Sequence, residues 1–440
     1  PETRGGPIGF RADFDDPSGM LALVGGTAIT MNGDEVIPNA TVVIDRNRIV
    51  AIGPSAQVTV PSGARRVDVS GKFLMPGLVD AHAHIGTGSS GIAPKINWAF
   101  LANLAFGVTT MHDPSNNSEM VFSTSESIKA GEILGPRLFS TGTILYGAEG
   151  GAKAITTSFV GALTHLRRMK PVGAFSVKSY NQPRRDARQQ IVEAARQLEM
   201  MVVPEGGSTL STNITHFLDG HTGLEHNIPV APLYNDVLSV MAASKSGYTP
   251  TLIVNYGGLS GEYWWYQHDN VWENARLQHF GARGTIEARA PRRDMAADED
   301  YFFIEVSKAA NAFEDRGGSV QIGAHGQIDG IGAHWETWMV QIGGKTNHEA
   351  LQSATIKGAR YLGLDGDVGS LASGKLADIL VLDRNPLENI RNSTSIRYTI
   401  INGRMYDAAT MAQLGNHPAP APAPIWRENG ASAAATSAIH

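Results

Sequence analysis

The chain has 440 residues, of which 42% are hydrophobic and 18% charged, a balance that supports a large buried core and excludes a mostly disordered chain. Its net charge is −6 with no long basic run, which argues against nucleic acid as a partner and gives no reason to expect a membrane surface. The chain has no cysteine, which excludes disulfides, iron–sulfur clusters and a cysteine nucleophile, so any metal must be bound by His, Asp, Glu or a modified side chain.

The beginning of the chain predicts an arm followed by short strands. Residues 1–18 are polar and rich in Gly and Pro, as expected of an arm. Runs rich in Val and Ile follow, separated by turns, and predict strands at Leu21–Val24, Ala40–Asp45, Ile49–Ile52 and Arg66–Val69. Because the chain starts at Pro1 without Met and shows no signal peptide, we expect that an N-terminal part was removed or that the chain belongs to a longer polypeptide. No stretch reaches about 18 consecutive apolar residues, so no membrane-spanning segment is predicted.

From Leu74 onward, short apolar runs that end in polar residues or Gly alternate with helical patterns. This alternation is typical of βα units on a parallel sheet. Eight βα units are the number in a TIM barrel, so we predict an α/β fold with a (β/α)8 barrel. The eight predicted strands are Leu74–His84, Gly107–Asp113, Arg137–Gly142, Ala174–Tyr180, Met200–Glu205, Thr222–His226, Tyr248–Val254 and Ser319–His325.

A long segment, residues 256–296, separates the seventh and eighth predicted strands. It is either a packed surface hairpin or helix, or a lid over the barrel mouth, where long loops are usually functional. Its aromatic residues are Tyr263, Trp264, Trp265, Tyr266 and Trp272.

After the barrel, β-type runs return at Ala377–Leu382 and Ile396–Asn402 and are similar to the early runs. A few strands from each end are too small to stand alone, so we expect them to form one sheet beside the barrel. The end of the chain is rich in Pro and Ala and predicts an extended docking strap or linker. The predicted division is an arm of residues 1–18, a composite small β domain of residues 19–72 and 368–408, a barrel of residues 73–367, and a tail of residues 409–440.

The apolar run Met75–Ala81 leads directly into His82-Ala83-His84. Because alternate residues of a strand share a face, both imidazoles point the same way, and at the carboxyl end of a barrel strand they face the mouth. Two imidazoles on one face form a chelate for a divalent metal. A His pair is more often structural, but this position favours a metal site.

A competing motif overlaps the two histidines. Gly86–Gly91 matches G-x-G-x-x-G just after a strand, and Asp113 follows roughly 20 residues later, as a dinucleotide fingerprint requires. This alternative leaves His82 and His84 unexplained, and Pro94 fits poorly in the helix that would bind the pyrophosphate. We therefore favour the metal site.

Other predicted strands also end in polar side chains: Lys178, Glu205, His226 and His325. Each alone is more often structural, but their occurrence at successive strand ends favours a common site. Facing a metal site, Lys178 can react with CO₂ to give a carbamate, which is an anionic bridge between two metals. Glu205 is a further candidate ligand.

The segment Gly323–Glu336 is dense in His and Gly. His334 and Glu336 are predicted to open a helix, where they either reach the substrate or only cap and pair. His112 with Asp113 is a further candidate at the end of the second barrel strand, although a structural pair beneath the site is the stronger interpretation.

These motifs together resemble the amidohydrolase superfamily, in its imidazolonepropionase/prolidase-like branch. The resemblance covers about residues 20–406. The nearest likeness is to amidohydrolase domains that follow a TolB-like β-propeller in longer bacterial polypeptides. The motifs that carry it are Pro76–His84, Gly107–Thr110, Val177-Lys178, Glu225-His226, Ala354-Thr355, Ala359–Leu364, Gly369–Leu371 and Gly374–Ile379.

The resemblance implies a distorted (β/α)8 barrel, a small β-sandwich from both termini, and one or two divalent metals. It implies ligand roles for His82, His84 and His226, and a bridging role for Lys178. Two positions depart from the family pattern, since Glu205 stands where a His is usual and His325 where the Asp general base is usual. The departures leave the metal count and the identity of the base open.

We therefore predict a metal-dependent hydrolase of amide or other C–N bonds with Zn²⁺ as the expected ion. His325 is the first candidate for proton transfer, with a ligand role as its alternative, and His334 is a second catalytic candidate. Tyr180, Trp264 and Trp265 are expected to shape a partly aromatic substrate pocket.

Two rival functions stay open. One is hydrolysis of a lactone, ester or organophosphate on the same scaffold, and the other is a non-catalytic binding or assembly module. Beyond a small-molecule substrate, the expected partners are further copies of this chain or a missing N-terminal β-propeller part. A periplasmic or secreted location is favoured over the cytoplasm.

Overall fold

The computed structural model describes residues 11–88, 91–148, 153–281 and 283–423. The first ten residues of the predicted arm, Ser89 and Ser90 of the glycine motif, and residues 424–440 of the predicted tail lie outside the described residues. The strands are β1 (Met20–Ile29), β2 (Val36–Asp45), β3 (Arg48–Pro54), β4 (Arg65–Asp68), β5 (Phe73–Pro76), β6 (Leu78–Asp80), β7 (Val108–Asp113), β8 (Arg137–Ser140), β9 (Ile144–Tyr146), β10 (Lys153–Ile155), β11 (Ser176–Ser179), β12 (Met201–Pro204), β13 (Gly223–Glu225), β14 (Gly247–Thr249), β15 (Ser319–Val320), β16 (Ile379–Leu382), β17 (Ile396–Ile401), β18 (Arg404–Asp407) and β19 (Gln413–Leu414). The α-helices are α1 (Trp98–Ala105), α2 (Ser118–Lys129), α3 (Phe159–Met169), α4 (Arg185–Gln197), α5 (Leu210–Leu218), α6 (Asn235–Ser244), α7 (Gly261–His268), α8 (Ala275–Phe280), α9 (Arg283–Glu287), α10 (Phe303–Glu314), α11 (Ile331–Ile342), α12 (Asn347–Ser353) and α13 (Ile356–Tyr361).

One large sheet combines strands from both ends of the chain. Its order is β19-β18-β17-β16-β5-β1-β2-β3, with β4 paired to β1. Antiparallel pairing of β5 with β16 joins the two ends, with Leu74 opposite Val381. Leu23, Val42 and Ile379 are fully buried in a shared core, as their alternation along the strands requires. The sheet extends through β19 into the predicted tail.

Strands β6 to β15 form smaller groups with parallel pairing, in the orders β6-β7-β8, β10-β9-β11-β12 and β13-β14-β15. A parallel bridge joins Glu205, directly after β12, to Glu225 of β13. The N–H of Ala81, directly after β6, donates to the carbonyl of Ile322, which follows β15. Each of the eight predicted barrel strands overlaps one strand of these groups, so the predicted mixed α/β content is confirmed.

Helices between these strands bury one face. In α4 the buried residues include Ala187, Ile191 and Ala194, at helical spacing, while Arg196 pairs with Glu193 on the exposed side. The helix α6 begins only at Asn235, after Pro232. Pro has no N–H to donate, so it lies before the helix rather than inside it.

A buried ion pair joins the large sheet to the parallel strands. Arg137 of β8 donates from Nε to Oδ2 of Asp378 at 2.7 Å and from Nη2 to Oδ1 at 3.1 Å. Asp378 lies directly before β16 and also accepts from the N–H of Asn402 at 2.8 Å. This two-point contact fixes the orientation of the sheet against the strands that carry the site.

Residues 256–296 fold into α7, α8 and α9 with a short 3-10 turn at Val271–Glu273. Trp265 and Tyr266 are fully buried, and the Trp265 ring stacks on Trp335 of α11 with centroids 5.6 Å apart. Of the two alternatives for this segment, the described residues match the packed helix. No helix in the described part of the chain has the length and apolar character needed to cross a bilayer.

Candidate metal centre

Polar side chains from several strand ends meet at one place in the structure. The His82 ring centroid lies 5.1 Å from that of His84, 4.8 Å from that of His226 and 5.0 Å from that of His325. Two of these four imidazoles, those of His82 and His226, follow a strand directly or within two residues, and the other two lie four or five residues beyond a strand. The predicted residues that meet are His82 and His84 beyond β6, Lys178 in β11, Glu205 directly after β12, His226 directly after β13, and His325 beyond β15.

The two histidines of the first strand end are oriented by partners on their outer nitrogens. The Nε2 atoms of His82 and His84 lie 3.3 Å apart. His82 Nδ1 lies 3.0 Å from Oε2 of Glu225 and 3.2 Å from the hydroxyl of Thr251, and His84 Nδ1 lies 3.1 Å from Oδ1 of Asp113. An acceptor behind each Nδ1 places the proton there and leaves the lone pair of Nε2 for a ligand.

A second group surrounds Glu205. Its Oε2 lies 2.6 Å from Nζ of Lys178, and its Oε1 lies 3.0 Å from Nε2 of His226. The hydroxyl of Tyr256 donates to the same Oε1 at 2.9 Å, and the Tyr256 ring stacks on His226 with centroids 4.4 Å apart. Lys178, His226 and Glu205 are all buried, so the charges of Lys178 and Glu205 face each other away from water.

Burial determines the protonation of this cluster. It lowers the pKa of His325 to about 3 and holds the pKa of His82 well below its usual range. Burial also lowers the pKa of His226, although Glu205 opposes the change. Burial disfavours ionisation of Glu205, but Lys178 and His226 outweigh it and hold the pKa of this carboxyl well below its usual range. The result is that the imidazoles of His82, His226 and His325 are neutral beside the carboxylate of Glu205.

This donor set fits a divalent metal. One group of atoms within 4.8 Å of one another comes from His82, His84 and His325, and another comes from His82, Glu205 and His226. Nδ1 of His226 is buried without a hydrogen-bond partner among the described residues. Neutral imidazole nitrogens and a carboxylate oxygen are the ligands that zinc accepts when no cysteine is present.

The backbone at the site adopts conformations that other residues rarely take. His226 has φ 67° and His325 has φ 61°, both in the left-handed region, directly beyond the strands. Gly326 has φ 76°, and a Cβ there would lie 2.1 Å from the carbonyl oxygen of His84. Strain of this kind persists where surrounding contacts enforce it, and it is concentrated at functional sites.

The dinucleotide alternative is not supported by the described residues. After Gly86 and Gly88, the next helix begins only at Trp98. Asp113, the expected ribose ligand, instead contacts His84 and accepts from the N–H of Ile85 at 3.3 Å. No helix N-terminus therefore follows the glycine motif in this part of the structure, as phosphate binding would require.

Comparisons with known proteins agree with this site. The amidohydrolase family model matches residues 304–406. Ochratoxinase of Aspergillus niger is 25% identical over 413 residues, and the match covers 86% of this chain and 84% of the relative. The chain belongs to the amidohydrolase superfamily. It is a hydrolase of the class that acts on C–N bonds.

Two further similar proteins match very different shares of this chain. Adenine deaminase of Paracoccus denitrificans is 35% identical over 95 residues, which is 21% of this amidohydrolase and 15% of that relative. The crystal structure of phenylurea hydrolase B is similar with a TM-score of 0.68 and 21% identity, covering 92% of this chain and 100% of the other. At that identity the structural likeness shows the fold alone.

The structure corrects the prediction of a catalytic role for His334. Its Nδ1 lies 2.8 Å from the hydroxyl of Ser393, and its Nε2 lies 2.8 Å from the carbonyl of Phe106. Both ring nitrogens are thus occupied, and the ring is buried in α11 away from the His82 cluster. Glu336, on the same helix, accepts from the N–H groups of Leu252 and Ile253. These contacts make the start of α11 part of the packing in this amidohydrolase.

Trp264 and Trp265 also lie elsewhere than predicted. Trp265 packs against Trp335 and Trp338, and Trp264 stacks on His268 with centroids 4.1 Å apart. Both line a cavity of about 520 Å³ beside Trp338 and residues 388–391, and no residue of the His82 cluster lines that cavity. Trp265 is buried against α11, and Trp264 lies against Trp265 and His268, so their predicted substrate contacts are not supported.

The remaining predicted residues surround the cluster. Tyr180 lies two residues after Lys178 and contacts Tyr146, with ring centroids 5.7 Å apart. His112 lies beneath the site, with its ring nitrogens 3.2 Å from the carbonyl of Ala81 and 2.8 Å from the hydroxyl of Ser176. The structural interpretation of His112 therefore fits its position.

Sequence reasoning missed several residues of the site. Tyr256 contacts both Glu205 and His226, Glu225 supports His82, and Gln327 contacts His325. Glu225 and Gln327 lie within two residues of a predicted ligand, which was a usable signal. Tyr256 opens the segment 256–296, and nothing in its local pattern distinguishes it from the other aromatic residues there.

Proposed function

We propose that this amidohydrolase is a metal-dependent enzyme that cleaves an amide or other C–N bond of a small molecule. The observation that carries the proposal is the convergence of four imidazoles, a carboxylate and Lys178 at and beyond the carboxyl ends of parallel strands. We propose Zn²⁺ as the ion. The two ligand groups overlap at His82, whose single unprotonated nitrogen can bind only one ion, so we propose one or two ions.

A divalent ion held there would lower the pKa of a water ligand and polarise the scissile carbonyl. The chain's own contribution is to orient the ligands and to handle protons. His325 is half-buried, burial lowers its pKa to about 3, and its Nδ1 is hydrogen-bonded to Gln327, so only Nε2 is left to act. This nitrogen accepts a proton if His325 is the base, or donates its lone pair if His325 is a ligand. Its grouping with His82 and His84 supports the ligand role.

We propose that Lys178 is carbamylated and supplies the anionic bridge, with Glu205 as an additional ligand. Lys178 is fully buried and reaches Glu205 at 2.6 Å, so it lies among the proposed ligands. An ammonium group beside metal cations is unfavourable, whereas a carbamate supplies two anionic oxygens. In the rival assignment Glu205 is the bridge and Lys178 is its counter-ion. Labelling the protein with ¹³C-bicarbonate distinguishes the two, since only the first gives a carbamate carbon signal.

We propose that the substrate approaches along Tyr180. Nζ of Lys153 lies 4.5 Å from the ring centre of Tyr146 and 4.7 Å from that of Tyr180. Tyr180 is on the same strand face as Lys178, because the two are separated by one residue. These aromatic rings and one cation therefore border the cluster on the side of β9 and β11.

We also propose that the eight parallel strands close into a distorted (β/α)8 barrel. The parallel ladders, the Glu205–Glu225 bridge and the Ala81–Ile322 hydrogen bond support this closure. The predicted division into a small β domain, a barrel, an arm and a tail is part of the proposal. We also propose that the chain associates with further copies of itself or with a preceding β-propeller part. Light scattering of the purified chain tests this association.

The test of the proposed function combines metal removal with a matched substrate panel. Purified protein is assayed on N-acyl amino acids, dipeptides, anilides and cyclic amides, alongside esters and lactones of the same acyl groups. We expect amide turnover that is lost after chelation and restored by Zn²⁺. Turnover of esters alone would contradict the proposed cleavage of C–N bonds. A protein that neither binds zinc nor turns over any amide would contradict the proposal of a metal-dependent enzyme.

A further inference from the structure

We propose that Gln327 is a positioning residue that determines which ring nitrogen of His325 carries the proton, and that Glu262 holds Gln327 in this role. The proposal deepens the proposed function, because it concerns a residue of the same cluster. Its decisive measurement is made on the protein without metal, so it can fail or succeed independently of catalysis.

A chain of polar contacts leads from the 256–296 segment to His325. Nδ1 of His325 lies 3.2 Å from Oε1 of Gln327. Nε2 of Gln327 donates to Oε2 of Glu262 at 2.9 Å, and Nη2 of Arg289 lies 3.0 Å from the same oxygen. Glu262 is in α7, near its start, and its side chain is fully buried.

The chemistry of these groups allows one direction of hydrogen bonding. A carboxylate only accepts, so the amide nitrogen of Gln327 must face Glu262 and its carbonyl oxygen must face His325. An amide oxygen also only accepts, so Nδ1 of His325 must carry the proton. In a neutral imidazole the other nitrogen then keeps its lone pair. That nitrogen, Nε2, is the one left for the cluster.

Protonation of Glu262 does not reverse this order. Burial raises the pKa of Glu262 to about 7, with Arg289 opposing the change. Oε2 already faces Gln327 and Arg289, whereas Oε1 has no hydrogen-bond partner among the described residues. A proton would therefore be placed on Oε1, and Oε2 would still accept from Gln327.

This chain of contacts also gives the 256–296 segment a role at the site. Trp265 of this segment packs on α11, whereas Glu262 contacts Gln327, and Arg289 of the same segment contacts Glu262. The segment thus acts on His325 through hydrogen bonds rather than by covering the substrate.

The experiment uses the full-length protein labelled with ¹⁵N-histidine, as purified and again after dialysis against a chelator. Long-range ¹H–¹⁵N spectra distinguish protonated from unprotonated ring nitrogens, and the signal that is lost in His325→Asn identifies His325. We expect a protonated Nδ1 and an unprotonated Nε2 in the chelated wild type. In Gln327→Leu the acceptor is gone, and we expect a mixture of the two tautomers.

Glu262→Gln is the second variant, because it keeps the size of the side chain if Gln327→Leu fails to fold. Its amide can donate as well as accept, so Gln327 can turn over, and we expect a mixture of tautomers here too. Gln278→Leu is the matched control, since it makes the same substitution at an exposed glutamine of the same segment. We expect it to leave the His325 signals unchanged.

Metal affinity gives a second readout. Loss of a group that orients a ligand typically weakens metal binding by about 10–100-fold, so we expect that change in competition with a chelator for Gln327→Leu but not for Gln278→Leu. A wild-type His325 protonated on Nε2, or an unchanged Nδ1–H tautomer in both Gln327→Leu and Glu262→Gln, would overturn the proposal. If the wild type binds no metal, the proposed function fails while the tautomer measurement still decides the role of Gln327.

Discussion

The tripeptide Gly-Ala-His occurs twice within twelve residues of this chain, and the two copies have different surroundings. In Gly323–His325 the histidine follows a strand, has φ 61° and lies among three other imidazoles. In Gly332–His334 it lies inside a helix, with each ring nitrogen 2.8 Å from a fixed partner. A histidine can serve a metal or a substrate only if one nitrogen is left without such a partner.

The same distinction applies to the other buried polar groups. Arg137 in the parallel strands and Asp378 beside the large sheet satisfy each other, as do His334 and Ser393. In the His82 cluster the supporting contacts instead lie on the outer nitrogens and leave inner ones facing each other. Buried polarity is therefore a weak indicator of function, and the direction of the remaining lone pairs is a stronger one.

The largest effect is expected from replacing His82 and His84, the two histidines that follow β6. His82→Ala/His84→Ala should lose most bound metal and all measurable activity while the fold is kept, because two ligands of the proposed site are gone. Metal analysis measures the bound metal, turnover assays measure the activity, and circular dichroism measures whether the fold is kept. The buried pair His216 and His221, with ring centroids 4.7 Å apart, provides the matched control. Full activity in the cluster variant would reject the metal site.

Lys178→Ala should be nearly as damaging. In the proposed assignment the substitution removes the bridging anion. In the rival assignment it leaves Glu205 buried without its cation, and breaking a buried pair costs about 3–5 kcal/mol. We expect activity to be abolished and partly restored by added short-chain carboxylic acids that occupy the vacated space. Lys345→Ala, at a buried lysine paired with Asp315, is the control and should keep its activity. An equal loss of activity in Lys178→Ala and Lys345→Ala would indicate that the substitutions act only through stability.

The two Gly-Ala-His copies are compared directly by His325→Ala and His334→Ala. We expect His325→Ala to lower kcat by about 10²–10⁴-fold, as loss of a proton-transfer group or a ligand does. His334→Ala should lower the free energy of unfolding by about 1–3 kcal/mol, because Ser393 and the carbonyl of Phe106 lose a buried partner. Its kcat should stay within about threefold once folded protein is counted. If both variants lost kcat to the same extent, the functional difference between the two Gly-Ala-His copies would be contradicted.

The smallest effect concerns Glu336, which lies in the packed helix with His334. Burial raises its pKa to about 8, despite two backbone N–H donors. A carboxyl whose pKa is raised in the folded state binds its proton there while the unfolded chain has released it. Its contribution to the free energy of unfolding therefore falls as pH rises from about 4.5 to 8.

Urea unfolding of the wild type and Glu336→Gln across this pH range measures the effect. The Gln side chain does not titrate, so the wild type should lose stability relative to the variant as pH increases. A difference that is constant with pH, or that grows in favour of the wild type, contradicts the assignment.

Much of the fold was readable because it depends on local pattern. Alternating apolar runs and helical spacing are properties of neighbouring residues, and the eight predicted barrel strands each overlap a parallel strand. The candidate ligands were found for the same reason, since polar residues at the ends of parallel strands must lie at one edge. The prediction that Trp264 and Trp265 contact the substrate is not supported, because an aromatic run in a long segment does not reveal which face of its helix is buried.

By itself, the sequence determined that any metal must be held without cysteine, that His82 and His84 share a strand face, and that Lys178, Glu205, His226 and His325 end neighbouring strands. Only the tertiary structure decided which histidines keep a lone pair. The partners of His334 are 59 and 228 positions away, and Glu262 lies 65 positions from the glutamine that it orients. Hydrogen-bond partners at such separations are brought together by packing, so no local pattern in the chain encodes them.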